Sequence, residues 1–266
     1  MFVNIKFRWF VPPSLLAALF LIAVSPVISW AEALEDAQER VRQNPNDAEG
    51  YNNLGYAYEK RGRHQDAIAS YKEVLRIKPD GAEGYNNLGY AHERLGRHQD
   101  AIRSYNQAIQ IAPDYALAHN NLGYTYEKLG QYQAAIASYK EALRSRPDFA
   151  LAHNNLGNAY EKLGRYQDAI SSYNQAIRIA PDYASAHNNL GYTYEKLGRY
   201  QQAIAKYEEA LKIDPDLAMA RKNLNRIRGK TAQVRPSRPL KTPASYYWND
   251  GKMKQSPHPD SGKSGA

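Results

Sequence analysis

Apolar residues in this chain recur at the helical spacing i, i+3, i+4, i+7, inside a longer period of 34 residues. In residues 48–81, Tyr51, Leu54, Gly55 and Tyr58 share one face of a first predicted helix, and Ala67, Ile68, Tyr71, Val74 and Leu75 share one face of a second. Gly62 between them suits the left-handed conformation that closes a helix, Pro79 stops the second helix, and Asp80 stands where it could cap the next. The order then returns almost letter for letter. A glycine falls at Gly55, Gly89, Gly123, Gly157 and Gly191, and a proline at Pro45, Pro79, Pro113, Pro147, Pro181 and Pro215. Such a period marks an array of stacked units, because neither helix of a pair can bury its apolar face alone.

A glycine inside a helix costs about 1 kcal/mol relative to alanine. Five in phase imply a close approach, and the small residues that could face them are Ala67, Ala101, Ala135, Ala169 and Ala203. On that packing, leucine at Gly123 would overpack the helix pair by about 1–3 kcal/mol.

The units resemble the tetratricopeptide repeat. Tyr51, Leu54, Gly55, Tyr58, Ala67, Tyr71, Val74 and Pro79 carry its pattern, and the next four units match it. The departures are His119, His153 and His187 in the fourth place, and His92 in the place of Tyr58. The resemblance covers 48–81, 82–115, 116–149, 150–183 and 184–217 as full units. It implies an all-α fold, a right-handed superhelical solenoid of antiparallel helix pairs whose inner face holds a partner polypeptide. Outside these units, residues 32–47 keep the phase of a second helix through Ala33, Leu34, Ala37 and Val41 and read as an N-terminal half-repeat. Residues 218–229 read as a basic cap helix in which Asn225 replaces the unit glycine. Residues 230–266, rich in Pro, Ser, Gly and Lys, are predicted to be a disordered basic tail. Tyr246-Tyr247-Trp248 within it reads as a chance cluster or a short docking motif.

Residues 1–31 differ in composition. Lys6 and Arg8 precede an apolar run from Leu15 to Val24, and Ser29-Trp30-Ala31 resembles a cleavage triplet, the layout of a secretory signal peptide. The other reading is an uncleaved anchor facing outward, since a span needs about 20 apolar residues. Pro12, Pro13 and Pro26 favour cleavage. Either way the repeats are expected across a membrane, periplasmic or secreted. The chain has no cysteine, which excludes thiol chemistry and disulfides.

Charge changes this picture in one respect. The chain holds 35 Lys and Arg against 27 Asp and Glu, but 2 bases lie in residues 1–31 and 9 bases with 2 acids in 226–266, leaving 24 bases and 25 acids between. The solenoid is neutral and the tail cationic, able to attract an anionic membrane or cell-wall polymer. With export expected, nucleic acid is not an expected partner.

No catalytic signature emerges. Gly229-Lys230-Thr231 ends like a phosphate-binding loop, but Leu224 stands where the required glycine should be. The histidines in the fourth place are each a helix pair apart, too far to share a metal ion, and read as packing residues. Glu-Lys and Glu-Arg pairs at the ends of the first helices, such as Glu59-Lys60 and Glu127-Lys128, read as surface ion pairs. The expected protein is not an enzyme, with no metal, no cofactor and no small-molecule substrate.

The candidate site is the face of the first helices turned from the packing seam. It carries one asparagine series, Asn52, Asn86, Asn120, Asn154 and Asn188, and a second, Asn53, Asn87, Asn121, Asn155 and Asn189. Tyr56, Tyr90, Tyr124, Asn158 and Tyr192 follow four residues after the first series. By the family resemblance this face lines the concave groove, and the second series resembles the asparagine ladder of O-linked N-acetylglucosamine transferases. A side-chain amide can pair with both N–H and C=O of an extended peptide. The alternative is that these amides only bridge neighbouring helices. The reading is a non-enzymatic interaction scaffold that binds an extended protein or peptide segment in this groove in the cell envelope. The alternative is a structural adaptor tethered to an anionic surface by its tail.

Overall fold

The computed structural model describes residues 26–234, 246–249 and 252–255, with side chains from 32 to 230. The described residues form twelve α-helices: α1 (Pro26–Gln43), α2 (Ala48–Lys60), α3 (His64–Ile77), α4 (Ala82–Arg94), α5 (His98–Ile111), α6 (Ala116–Lys128), α7 (Tyr132–Ser145), α8 (Ala150–Lys162), α9 (Tyr166–Ile179), α10 (Ala184–Lys196), α11 (Tyr200–Ile213) and α12 (Ala218–Val234). The fold is an all-α solenoid of helix pairs, α2–α3 through α10–α11, each packed on the next. None of these helices is long and apolar enough to cross a membrane.

Each pair is closed by the same turn. Gly62 has φ 70°, its N–H donates to the Glu59 carbonyl at 2.9 Å, and the Arg63 N–H reaches back to the Tyr58 carbonyl at 2.9 Å. This double bond pattern requires a left-handed residue, and Gly96, Gly130, Gly164 and Gly198 repeat it with φ of 70–72°. The core of each pair is the second-helix tyrosine, Tyr71, Tyr105, Tyr139, Tyr173 or Tyr207, at most 1% exposed. At the ends, Leu34 and Ala37 of α1 pack on Leu54 and Ala57, and Leu224 and Ile227 of α12 pack on Ala203 and Tyr207. Both terminal faces are thereby covered.

Several expectations need correction. The in-phase glycines do not face the alanines as small against small. A Cβ on Gly55 would fall 2.5 Å from the Tyr71 ring, and one on Gly123 2.7 Å from Tyr139. The first helix is held close by the broad face of the buried tyrosine, with the Ala135 carbonyl a second neighbour. Asp80 does not cap α4, whose N-cap is Gly81 with no side-chain bond. Only α2 has an aspartate in register, Asp47, which accepts from the Gly50 N–H at 3.0 Å. Helix α1 begins at Pro26, inside the stretch assigned to the leader, and proline suits a first helical position. The rest of that segment, residues 1–25, lies outside the described residues. Helix α12 continues past Gly229 to Val234. Within the tail, Tyr246–Asn249 (β1) pairs antiparallel with Lys252–Gln255 (β2), Tyr246 opposite Gln255, so this part is a hairpin; the other residues beyond 234 lie outside the described ones.

Candidate functional site

One stripe of each first helix borders hollows along the array, at spacing i, i+4, i+7, i+11. In α6 it is Leu117, Asn121, Tyr124 and Lys128, and in α4 it is Glu83, Asn87, Tyr90 and Arg94. These spacings fall on one side of a helix. Hollows follow the stripe. One of about 410 Å³ is lined by Asn53, Tyr56, Asn87, Tyr90, Leu117 and Asn121. Another of about 470 Å³ is lined by Asn158, Lys162, Asn189, Tyr192 and Met219, and one of about 450 Å³ by Lys196, Lys222, Arg226 and Lys230.

The structure divides the expected site residues. The first asparagine series is mostly buried between successive first helices: Asn86, Asn120, Asn154 and Asn188 are at most 7% exposed and Asn52 is half-buried, and Asn52, Asn86 and Asn188 reach the walls of the hollows only by their exposed parts. Each accepts from the second series of the following unit. Asn87 Nδ2 donates to Asn52 Oδ1 at 2.9 Å, Asn121 to Asn86 at 3.0 Å, Asn155 to Asn120 at 3.1 Å and Asn189 to Asn154 at 3.1 Å. Asn223 of α12 ends the series by donating to Asn188 at 3.0 Å. The ladder is therefore a strap along the solenoid. Burying an amide is tolerable when it is paired, and here the partner is an amide one unit away. Asn87, Asn121, Asn155 and Asn189 stay half-buried at the groove floor with part of their capacity spent, and Asn53, which has no preceding unit to pair with, is exposed.

The tyrosine series does face outward into the groove. Tyr56, Tyr90 and Tyr124 are exposed by 48, 41 and 38%, and Tyr192 is half-buried. Asn158, which interrupts them, is tied down, its Oδ1 accepting from Tyr173 Oη at 2.8 Å and from Asn189 Nδ2 at 3.1 Å. Lysines one turn further stand over the rings: Lys60 Nζ is 4.8 Å from the Tyr56 centroid, Lys128 5.0 Å from Tyr124 and Lys196 5.0 Å from Tyr192. Sequence reading missed Leu117, Leu151 and Met219, exposed by 38, 42 and 60%. Their signal was available, since each lies four residues before a second-series asparagine, on the same stripe.

The Glu-Lys pairs are not surface ion pairs. At Glu127 and Glu195 the carboxylate meets a buried tyrosine hydroxyl while the adjacent lysine stays exposed, and Glu127 and Glu161 also border the hollow beside Lys162. Glu127 Oε2 accepts from Tyr139 Oη at 3.0 Å, and Glu195 Oε2 from Tyr207 Oη at 3.1 Å. Burial pushes the Glu127 and Glu161 carboxyls up, and Glu59, with Oε1 buried and unpartnered, is pushed up to about 7. At Glu195 burial acts in the same sense, but hydrogen bonds from Arg226 and Tyr207 outweigh it and hold the group below the usual range.

Glu59 makes a pH prediction. Its folded pKa of about 7 lies above the model-peptide value of 4.5, so the folded state binds more protons between these limits. Its contribution to stability is then present below about pH 4.5 and lost as pH rises to about 7. Glu59→Gln is expected to flatten that decline in the urea midpoint. An unaltered pH profile would show that the carboxyl is not desolvated.

The histidines in the fourth place are explained locally. His119, His153 and His187 each place Nε2 at 2.9–3.0 Å from the carbonyl oxygen of the proline six residues earlier, Pro113, Pro147 or Pro181. As N–H donors they pin the loop that enters each unit.

Family profiles described as tetratricopeptide repeat match residues 80–148, 148–216 and 41–69, and one described as TPR repeat matches 60–96. No curated protein matches the chain. Among solved structures, a chain of the APC/C hetero-tetramer Cut9–Hcn1 is 25% identical, with TM-score 0.67 over 76% of this chain. This chain spans 40% of that one's length. MamA is 28% identical, with TM-score 0.55 over 62% of this chain and 96% of that one. YrrB, described as a TPR protein with an unusual peptide-binding site, shares the fold at 22% identity, with TM-score 0.54 over 71% of this chain and 98% of that one. With matched profiles over more than half its length, its helix pairs and its repeated glycine turns, the chain belongs to the tetratricopeptide-repeat family.

Proposed function

We propose that this protein is a non-enzymatic interaction scaffold at the cell envelope whose inner groove grips an extended segment of a partner protein. The observation that carries the reading is the exposed stripe of Tyr56, Tyr90, Tyr124, Leu117 and Leu151 along hollows that no part of the solenoid fills. Tyrosine rings offer rigid contact area with a hydroxyl at the tip, and the leucines offer apolar contact. The peptide-binding site named for YrrB supports the same use of the fold. The asparagine strap keeps neighbouring units in register, which holds the stripe rigid before a partner arrives and lowers the ordering cost of binding. The side-chain preference thus resides in the tyrosines and leucines.

A photo-cross-linking residue in place of Tyr124 in the native host is expected to capture a partner protein, and the same residue at the exposed Lys140 of α7 is not. Equal adducts at both positions, or none at Tyr124, would remove the groove as the site. The envelope location rests on Lys6, Arg8 and the apolar run from Leu15 to Val24. Recovery of the protein from the cytoplasmic fraction would overturn it. The cationic tail favours a second reading, the adaptor held to an anionic membrane or cell-wall polymer, and the two are compatible in one molecule.

A further inference from the structure

The array is bounded by half a unit at each side. Residues 32–47 keep the phase of a second helix without the first-helix pattern before them, and 218–230 keep the phase of a first helix without the second-helix pattern after them. Helix α1 packs on α2 and helix α12 on α11, but each has a further face that in a full unit is covered by the other member of the pair. On α1 this face contains Ala33. Its counterparts Ala67, Ala101, Ala135, Ala169 and Ala203 are all 0% exposed, whereas Ala33 is exposed. A hollow of about 370 Å³ lies there, lined by Ala33, Asp36, Ala37 and Arg40 of α1 and by Asn53 and Tyr56 of α2. On α12 the matching face carries Arg221, Asn225 and Arg228 in the places of Tyr51, Gly55 and Tyr58, and all three are exposed.

Two exchanges fit these faces to each other. In every full unit the first-helix glycine lies against the second-helix tyrosine, and a Cβ on it would fall 2.5–2.9 Å from the ring. In the half-units both partners differ: Asn225 stands in the place of the glycine and Ala37 in the place of the tyrosine. The bulk has moved from the second helix to the first. A side chain at 225 would collide with a tyrosine at 37, whereas Ala37 leaves a hollow for it to enter, and packed seams tolerate best the changes that conserve volume.

Charge selects the same pairing. Residues 32–43 hold four exposed acids, Glu32, Glu35, Asp36 and Glu39, and two bases, while 218–230 hold five bases and no acid. Within the chain Arg40 pairs with Asp47 and Glu49, Arg42 with Glu39, Arg226 and Lys230 with Glu195, and Arg228 with Glu208. Arg221 donates to the Pro215 carbonyl. Setting α1 against α1, or α12 against α12, brings like charges together; α12 against α1 brings opposite ones. Contact between two unlike faces is heterologous and can repeat from copy to copy.

We infer that this protein associates head to tail with further copies of itself, α12 of one copy docking on α1 of the next so that the two complete a sixth helix pair between them. The inference does not depend on what the groove holds. Because Arg221 and Arg228 replace two tyrosines of the seam, the junction is more polar than the seams inside the chain, and it is reversible and weakened by salt.

The test uses the full chain, which has no cysteine, so an introduced thiol reports only on its own position. In full units a Cβ on the glycine lies 3.2 Å from the alanine carbonyl oxygen, as for Gly123 with Ala135 and Gly191 with Ala203, a spacing within disulfide reach. Ala33→Cys mixed with Asn225→Cys under a mild oxidant is expected to give a mixed covalent dimer at least about tenfold more abundant than either homodimer. Light scattering of the unaltered chain is expected to show a mass that rises with concentration beyond that of a dimer and falls with added salt. Asp36→Lys, at an exposed position, is expected to raise the dissociation constant at least about tenfold with an unchanged thermal midpoint. Ala37→Tyr is expected to weaken association as well, and Asn225→Gly in the same chain to restore it, since the pair is then that of a full unit. A mass independent of concentration, homodimers as abundant as the mixed dimer, indifference to Asp36→Lys, or a loss in Ala37→Tyr that Asn225→Gly does not relieve would overturn the inference.

Discussion

Replacing Asn87, Asn121 and Asn155 together by alanine is expected to destabilise the solenoid by several kcal/mol, at about 1–3 kcal/mol for each buried acceptor left unpaired. Asn86 and Asn120 are each 3% exposed, and their Oδ1 atoms would lose bonds of 3.0 and 3.1 Å, while Asn52 would lose one of 2.9 Å. The effect should be larger than three isolated hydrogen bonds suggest. Each bond joins two units, and the stability of an array depends on its nearest-neighbour interfaces. Urea unfolding should show a lower midpoint and a broader transition as units begin to melt separately. Asn53→Ala is the control, since this exposed amide has no preceding unit and should shift stability by no more than about 0.5 kcal/mol. A triple variant with an unchanged midpoint and lost partner capture would return the amides to the groove as ligand contacts.

Gly123→Ala is expected to destabilise the protein even though alanine is the better helix former by about 1 kcal/mol. The added Cβ would lie 2.7 Å from Cε1 and 2.8 Å from Cδ1 of Tyr139. That ring cannot swing away: it is fully buried, and its hydroxyl is held by Glu127 at 3.0 Å. Overpacking costs about 1–3 kcal/mol, which exceeds or cancels the propensity gain, and leucine at the same position should cost more than alanine. A double-mutant cycle identifies the cause. Combined with Tyr139→Leu, the alanine should lose most of its penalty, because the atom it meets is gone. A raised thermal midpoint for Gly123→Ala alone would mean that the glycine is not kept by the tyrosine.

The pairing of Gly123 with Tyr139 was half legible. Five glycines in phase announced a close approach, but the partner was sought among the alanines, because small residues against small is the simplest way to bring helices together. The structure instead lays a flat ring across the glycine, which needs the same missing Cβ. The asparagines show a different limit. Asn120 and Asn121 are adjacent, so they point about 100° apart on a helix, and both lie between groove and seam. Which one is buried depends on how the next first helix crosses, a relation between residues about one unit apart. Glu127 and Lys128 separate for the same kind of reason: one step along the helix carries the carboxylate to a buried tyrosine hydroxyl and leaves the ammonium over the Tyr124 ring.

What could be read directly from the amino-acid order was everything local and periodic: the 34-residue unit, its two helices, the glycine turns at Gly62 and its counterparts, and the terminal helices that keep the phase. These follow from backbone preferences and hydrophobic spacing within a few turns of chain. The direction taken by each polar side chain at the unit boundary was settled by the stacking of one helix pair on the next. An amide or a carboxylate has no preferred side in a lone helix; it goes where burial and an available partner together cost least, and those partners exist only once the units are assembled.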